Sequence, residues 1–111
     1  MPTAAIIGGG PSGLMAAEML LNQGLSVDLY EAKPSVGRKF LMAGKSGLNL
    51  THAESFDSFL KRFEKDQLKL APFIRDLPPE AIRKWAEDLG IETFEGTSQR
   101  IFPKVMKASP L

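Results

Sequence analysis

Six consecutive residues near the amino end, Gly8-Gly9-Gly10-Pro11-Ser12-Gly13, limit what this chain can fold into more than any other stretch. Ahead of them runs Thr3-Ala4-Ala5-Ile6-Ile7, short, apolar and bounded by glycine, the pattern of a fully buried parallel strand. Pro11 stands where a first helical turn opens, a position at which its missing N–H costs nothing. Leu14, Met15, Ala17, Met19 and Leu21 carry a helix onward until Gly24 supplies a stop. Ser26 to Glu31 reads as a second strand. Strand, glycine turn, helix and strand within about 30 residues make a βαβ unit, and its right-handed crossover sets the two strands parallel and adjacent.

Gly8, Gly10 and Gly13 occupy the fixed places of the pattern G-x-G-x-x-G, which is weak alone but here has a strand before it and a helix after it. Gly8 permits the sharp turn, Gly10 lets the backbone approach a pyrophosphate, and Gly13 lets helix and strand pack closely. The helix then offers unpaired N–H groups and about half a positive charge to the phosphates. That matters because no Lys or Arg precedes Lys33. Glu31, 18 residues after Gly13, is placed to accept hydrogen bonds from an adenosine ribose. It would repel a 2′-phosphate, although Lys33 and Arg38 act in the opposite sense. Gly8, Gly9, Gly10, Pro11, Ser12, Gly13 and Glu31 are therefore the candidate dinucleotide contacts. The pattern serves NAD as well as FAD. Two points favour FAD: the strand begins two residues after Met1, and Ala32, Lys33, Gly37, Arg38 and Lys39 form a second loop able to reach the same dinucleotide.

Lys33 to Thr51 reads as a loop, a short helix around Phe40-Leu41-Met42, and another loop. Thr51-His52-Ala53-Glu54 has capping-box spacing with Thr51 as N-cap, and Phe56, Phe59, Leu60 and Phe63 mark one face of the helix to follow. Pro78-Pro79-Glu80 opens another helix that Gly90 ends, with Ile82, Trp85, Ala86 and Leu89 as its apolar stripe. Ile91–Glu95 and Arg100–Phe102 flank a turn at Gly96-Thr97-Ser98, and Val105 to Ala108 reads as the start of a further helix. The fold class is α/β, a Rossmann-type FAD/NAD(P)-binding fold: a βαβ start of a parallel sheet, then three or four helices in all and a short β-hairpin. Residues 1–111 are expected to be one truncated domain, with 1–50 the dinucleotide-binding part and its loop, and 51–111 the helical segment and hairpin.

The formal charge of +1 gives no global case for nucleic acid or membrane partners. With no cysteine there is no disulfide, thiolate metal site or cysteine nucleophile, and no metal-ligand cluster can be assembled. The apolar start lacks a basic n-region and is interrupted by glycines, so it is not a signal peptide, and the expected compartment is the cytoplasm. His52, the one histidine, sits beside the expected helix cap and reads as a capping or surface residue. The aromatic stripe and Trp85 read as core, and Lys61-Arg62 and Arg83-Lys84 as solvated helix faces.

Four stretches together resemble the aminoacetone-oxidase-like FAD-binding proteins, bacterial NAD(P)/FAD-dependent oxidoreductases. They are Gly8-Gly-Gly-Pro-Ser-Gly-Leu-Met-Ala-Ala-Glu18, Tyr30-Glu-Ala-Lys-Pro34, Val36-Gly-Arg-Lys-Phe-Leu-Met-Ala-Gly-Lys-Ser-Gly-Leu-Asn-Leu-Thr-His52 and Arg100-Ile-Phe-Pro-Lys-Val-Met-Lys-Ala108. The resemblance implies FAD, with NAD(P)H as an electron donor, and the adenosine half on Gly8, Gly10, Gly13 and Glu31. It implies that Arg38, Lys39, Gly47 and Asn49 lie along the rest of the cofactor, and that Arg100, Phe102 and Pro103 line the substrate side. This chain departs from the family in two ways. Members are several times longer, and many carry Gly-Gly-Arg-Cys-Asn where this chain keeps only Gly47 and Asn49.

The leading expectation is the FAD-binding portion of an oxidoreductase of unassigned substrate. Two other readings stand beside it. One is an NAD(P)-binding module of a dehydrogenase; the other is a catalytically inert piece that associates with itself through exposed Phe and Trp faces.

Overall fold

The computed structural model describes residues 2–44 and 47–111; Lys45 and Ser46, inside the third of the four stretches above, lie outside the described residues. The chain divides into two compact units, Met1–Ala43 and Gly44–Leu111.

In the first unit β1 (Thr3–Ile7) and β2 (Ser26–Tyr30) pair in parallel, from Thr3 opposite Ser26 to Ile7 opposite Tyr30. Helix α1 (Pro11–Asn22) connects them and packs on both. It ends as the sequence indicates: Gly24 adopts φ +86, and its N–H donates to the Leu21 carbonyl at 3.0 Å. The strands, however, are not fully buried. Exposure alternates along them, with Ala4, Ile6, Val27 and Leu29 half-buried and Ile7 83% exposed. The reason is geometric. Successive strand residues point to opposite faces, and among the described residues of this unit a helix packs on one of those faces. After β2 the chain forms a loop and the one-turn helix α2 (Arg38–Leu41), entered through Gly37 at φ +68.

The second unit contains β3 (Thr51–His52), α3 (Phe56–Lys61), a 3₁₀ turn at Glu64–Asp66, α4 (Gln67–Asp76), α5 (Pro79–Asp88), β4 (Thr93–Glu95) and β5 (Arg100–Pro103). The strands form an antiparallel sheet in the order β3-β5-β4. The β4–β5 hairpin is the one expected, closed by Gly96 N–H donating to the Arg100 carbonyl at 2.7 Å. Phe94 and Phe102 stack across it with ring centroids 5.6 Å apart. Leu48, Ala86, Ile101, Pro103 and Ala108 form the buried core of this unit.

Three expectations are corrected here. Thr51 is not a helix cap, because Thr51 and His52 pair with Ile101 and Arg100 and so become a strand. The cap is Ser55, whose Oγ accepts from the Ser58 N–H at 3.2 Å. Phe63 lies beyond the end of α3, although its ring still meets that of Phe59 edge-on at 5.5 Å. Val105 to Ala108 is not helical. Met106 sits at φ +62, and its carbonyl accepts from the Leu48 N–H at 3.0 Å, so this segment is a turn tied to an earlier loop. Beyond the helices expected, α4 forms despite Pro72 in its interior, a residue that removes one helical hydrogen bond.

Arg83 is not simply solvated. Its Nε donates at 2.8 Å to Oγ1 of buried Thr93, which in turn donates to Glu87 Oε1 at 2.9 Å. Thr93→Val keeps the shape and removes both bonds, so it is expected to cost about 1–2 kcal/mol in chemical denaturation. An unchanged midpoint would show that this bridge adds nothing.

Candidate nucleotide site

The first unit brings the glycine turn, the end of β2 and the start of α2 together. Gly8 leaves β1 at φ +103, a left-handed conformation that side chains resist, and its N–H donates to the Tyr30 carbonyl at 2.8 Å. Gly10 is the N-cap of α1 with φ −81 and ψ −174, and no side chain caps the helix. Leu14 N–H donates to the Gly10 carbonyl at 2.9 Å. Ser12 and Gly13 thus fall in the turn whose N–H groups precede intrahelical bonding. No acidic residue within that turn offsets the positive end of the helix.

The glycines of the turn differ in what a side chain would meet. A Cβ at Gly13 would overlap the carbonyl oxygen of Gly8, so close packing of helix on turn demands glycine. At Gly9 a Cβ would lie 2.6 Å from Val36 Cγ1. At Gly10 a Cβ would meet nothing within 4 Å, and the backbone there is ordinary extended chain open to any residue. No part of the first unit explains why position 10 has no side chain.

Glu31 stands just past β2 and clasps two backbone donors. Gly9 N–H reaches its Oε1 at 2.8 Å and Lys33 N–H reaches its Oε2 at 2.9 Å. These bonds, that from Lys33 foremost and then that from Gly9, hold its carboxyl below the ordinary carboxylate value against a smaller opposing effect of burial. A carboxylate offers about four acceptor sites, more than these two donors occupy. The following loop is strapped to the turn, since Gly37 N–H donates to the Gly9 carbonyl at 2.7 Å. Ala32, Lys33, Arg38 and Lys39 are exposed around it, and Arg38 Nη1 donates to Ser35 Oγ at 3.2 Å.

Gly47 and Asn49 belong to the second unit. Gly47 adopts φ +150, and a Cβ there would strike the Met106 side chain, while Asn49 is exposed. His52 is not a cap, since it pairs in β3, and its side chain is half-buried. Its Nδ1 is buried with no hydrogen-bond partner, 3.6 Å from Glu54 Oε1. Arg62 grips Glu54 through Nε and Nη2, so this cation is also engaged. His52, Glu54, Glu80 and Arg83 border a cleft of about 390 Å³. Among the described residues no group of three His, Asp or Glu side chains is arranged to hold a metal, and no helix is long and apolar enough to cross a membrane. Reading the sequence missed Val36. Val36 stands at the head of the third stretch without an assigned role, and its place over Gly9 appears only in three dimensions.

A parallel βαβ unit with a glycine turn at an uncapped helix end and a carboxylate beside it defines a Rossmann-type nucleotide-binding domain. The chain belongs to the HI0933-like protein Rossmann domain family, whose model matches residues 2–111. It is a family of FAD-binding oxidoreductases. Carotenoid phi-ring synthase of Streptomyces griseus is 31% identical over 67 residues, covering 56% of this chain and 13% of that protein. The chain thus spans a small part of this relative's length.

Proposed function

We propose that this chain is the FAD-binding portion of a flavin-dependent oxidoreductase, holding the adenosine diphosphate half of the cofactor on its first unit. The observation that carries the reading is Gly10: it lacks a side chain although neither its backbone nor any neighbouring atom forbids one. A diphosphate drawn against the amino end of α1 accounts for it, because a methyl group there would stand between backbone and phosphate. Ser12 and Gly13 would donate their N–H groups to the phosphate oxygens, and Glu31 would accept from the ribose hydroxyls. Pro11 fixes the opening of the helix, and Lys33, Arg38 and Lys39 add positive charge nearby. When bound, the flavin supplies hydride or electron transfer, and the protein contributes binding, orientation and electrostatics. Within the family, the four stretches quoted above support an aminoacetone-oxidase-like protein. No substrate is assigned.

FAD and ADP titrations followed by flavin fluorescence and calorimetry test the proposal. Both ligands are expected to bind, with NADH competing poorly. Gly10→Ala is expected to weaken ADP about tenfold with Tm unchanged, since its methyl group meets ligand and not protein. A wild-type chain with no affinity for FAD or ADP defeats the proposal, and tighter binding of NADH than of FAD would reassign the cofactor.

A further inference from the structure

Gly9 occupies a variable place in the glycine pattern, yet it is buried and tightly enclosed. Its backbone is not left-handed, so conformation does not call for glycine. What excludes a side chain is the loop after Glu31. A Cβ at position 9 would lie 2.6 Å from Val36 Cγ1, 3.0 Å from Val36 Cβ and 3.2 Å from Leu29 Cδ2. Leu29 touches through the tip of a flexible chain and can turn aside. Val36 has less freedom: its branched Cβ restricts χ1, and its neighbour Gly37 is bonded through N–H to the Gly9 carbonyl at 2.7 Å. The same turn is held from the other side, where Gly9 N–H donates to Glu31. Both polar backbone groups of Gly9 are therefore taken by residues 31 and 37, and its open face is closed by residue 36.

We propose that Val36 is a positioning residue for nucleotide binding: it closes over Gly9 and, with the Gly37 strap, sets the shape of the glycine turn. This deepens the proposed function and rests on it. With the turn fixed, the first N–H groups of α1 and the Glu31 carboxylate keep the spacing that a diphosphate and its ribose require. Val36 acts through Gly9 and not by touching the nucleotide. Its side chain is 43% exposed, so its loss opens no cavity. The property that matters is shape, and Val36→Thr, which keeps the branched outline, preserves affinity.

A double-mutant cycle on the full chain tests this, with ADP as the probe by calorimetry and Tm measured without nucleotide. Gly9→Ala is expected to weaken ADP at least about tenfold through overpacking. Val36→Gly alone costs about threefold, by slackening the strap. The double variant Gly9→Ala/Val36→Gly is expected to recover to within about threefold of Val36→Gly, because the new methyl group takes the vacated space. Tm follows the same order. If the losses multiply in the double variant, in affinity and in Tm, the positioning role is overturned. If the wild-type chain binds neither ADP nor FAD, the proposed function fails by itself. The Tm cycle then still decides the interlock: suppression supports it and additive lowering refutes it.

Discussion

Gly13→Ala is expected to abolish measurable ADP binding and to destabilise the first unit by about 3 kcal/mol. Its Cβ would overlap the Gly8 carbonyl oxygen and lie 3.1 Å from the Gly8 carbonyl carbon. These are backbone atoms with no rotamer to escape into. Gly8 cannot retreat either, since its N–H is bonded to the Tyr30 carbonyl in the strand pairing. The turn must open or α1 must lift from β1, and either movement displaces the N–H groups at the amino end of α1, where the proposed diphosphate would lie. Thermal unfolding and ADP titration read the two effects separately. The comparison with Gly10→Ala is the sharper result: one methyl group meets protein backbone and lowers both stability and affinity, while the other meets ligand and lowers affinity alone. A Gly13→Ala chain with wild-type Tm would show that helix and turn are not in close contact.

Glu31→Gln is the second large effect, an expected loss of about tenfold to hundredfold in ADP affinity. The two carboxylate oxygens accept from two separate backbone donors, Gly9 N–H and Lys33 N–H. Glutamine has one acceptor oxygen, so its NH₂ group must face one of those donors whichever way it turns. The ribose then loses an ionised acceptor as well. The pH dependence has a definite sign. The carboxyl in the folded chain titrates below its ordinary value of 4.5, so the unfolded chain binds the proton more tightly. The stabilisation from Glu31 is therefore fully present above the ordinary carboxylate range and disappears as pH falls through the lowered native value. The ratio of wild-type to Glu31→Gln affinity for ADP, in which the nucleotide's own phosphate titration cancels, should stay level at neutral pH and fall as acid protonates the lowered Glu31 carboxyl. Equal acid sensitivity in both chains would remove Glu31 from the explanation.

The βαβ unit was legible because its signals are local. A strand, a glycine turn, a helix and an acid at fixed spacing are all set by near neighbours, and Thr3–Ile7, Pro11–Asn22 and Ser26–Tyr30 form as the pattern indicates. The second unit was harder to read where distant pairing competes with local preference. Thr51 to Glu54 has the spacing of a helix cap, but hydrogen bonding to residues 99–101 draws it into the sheet and passes the cap to Ser55. Helix α4 has a proline inside it and no clean apolar stripe, so it carries little periodic signal. The arrest at Met106 depends on its link to Leu48, across a separation no local rule spans. His52 shows the same limit. Its neighbours suggest a cap, and only the folded sheet shows that its Nδ1 is buried.

The strap over the glycine turn takes its donors from the main chain, with Lys33 N–H held by the Glu31 carboxylate and Gly37 N–H by the Gly9 carbonyl. Peptide groups are common to every residue, so evolution can rewrite Ala32, Pro34 and Ser35 without loosening the clasp. Descendants of this chain would then share the device while looking unrelated across that loop. The trace it leaves is a small, branched residue one place ahead of a glycine, facing a partner that has no side chain to spare.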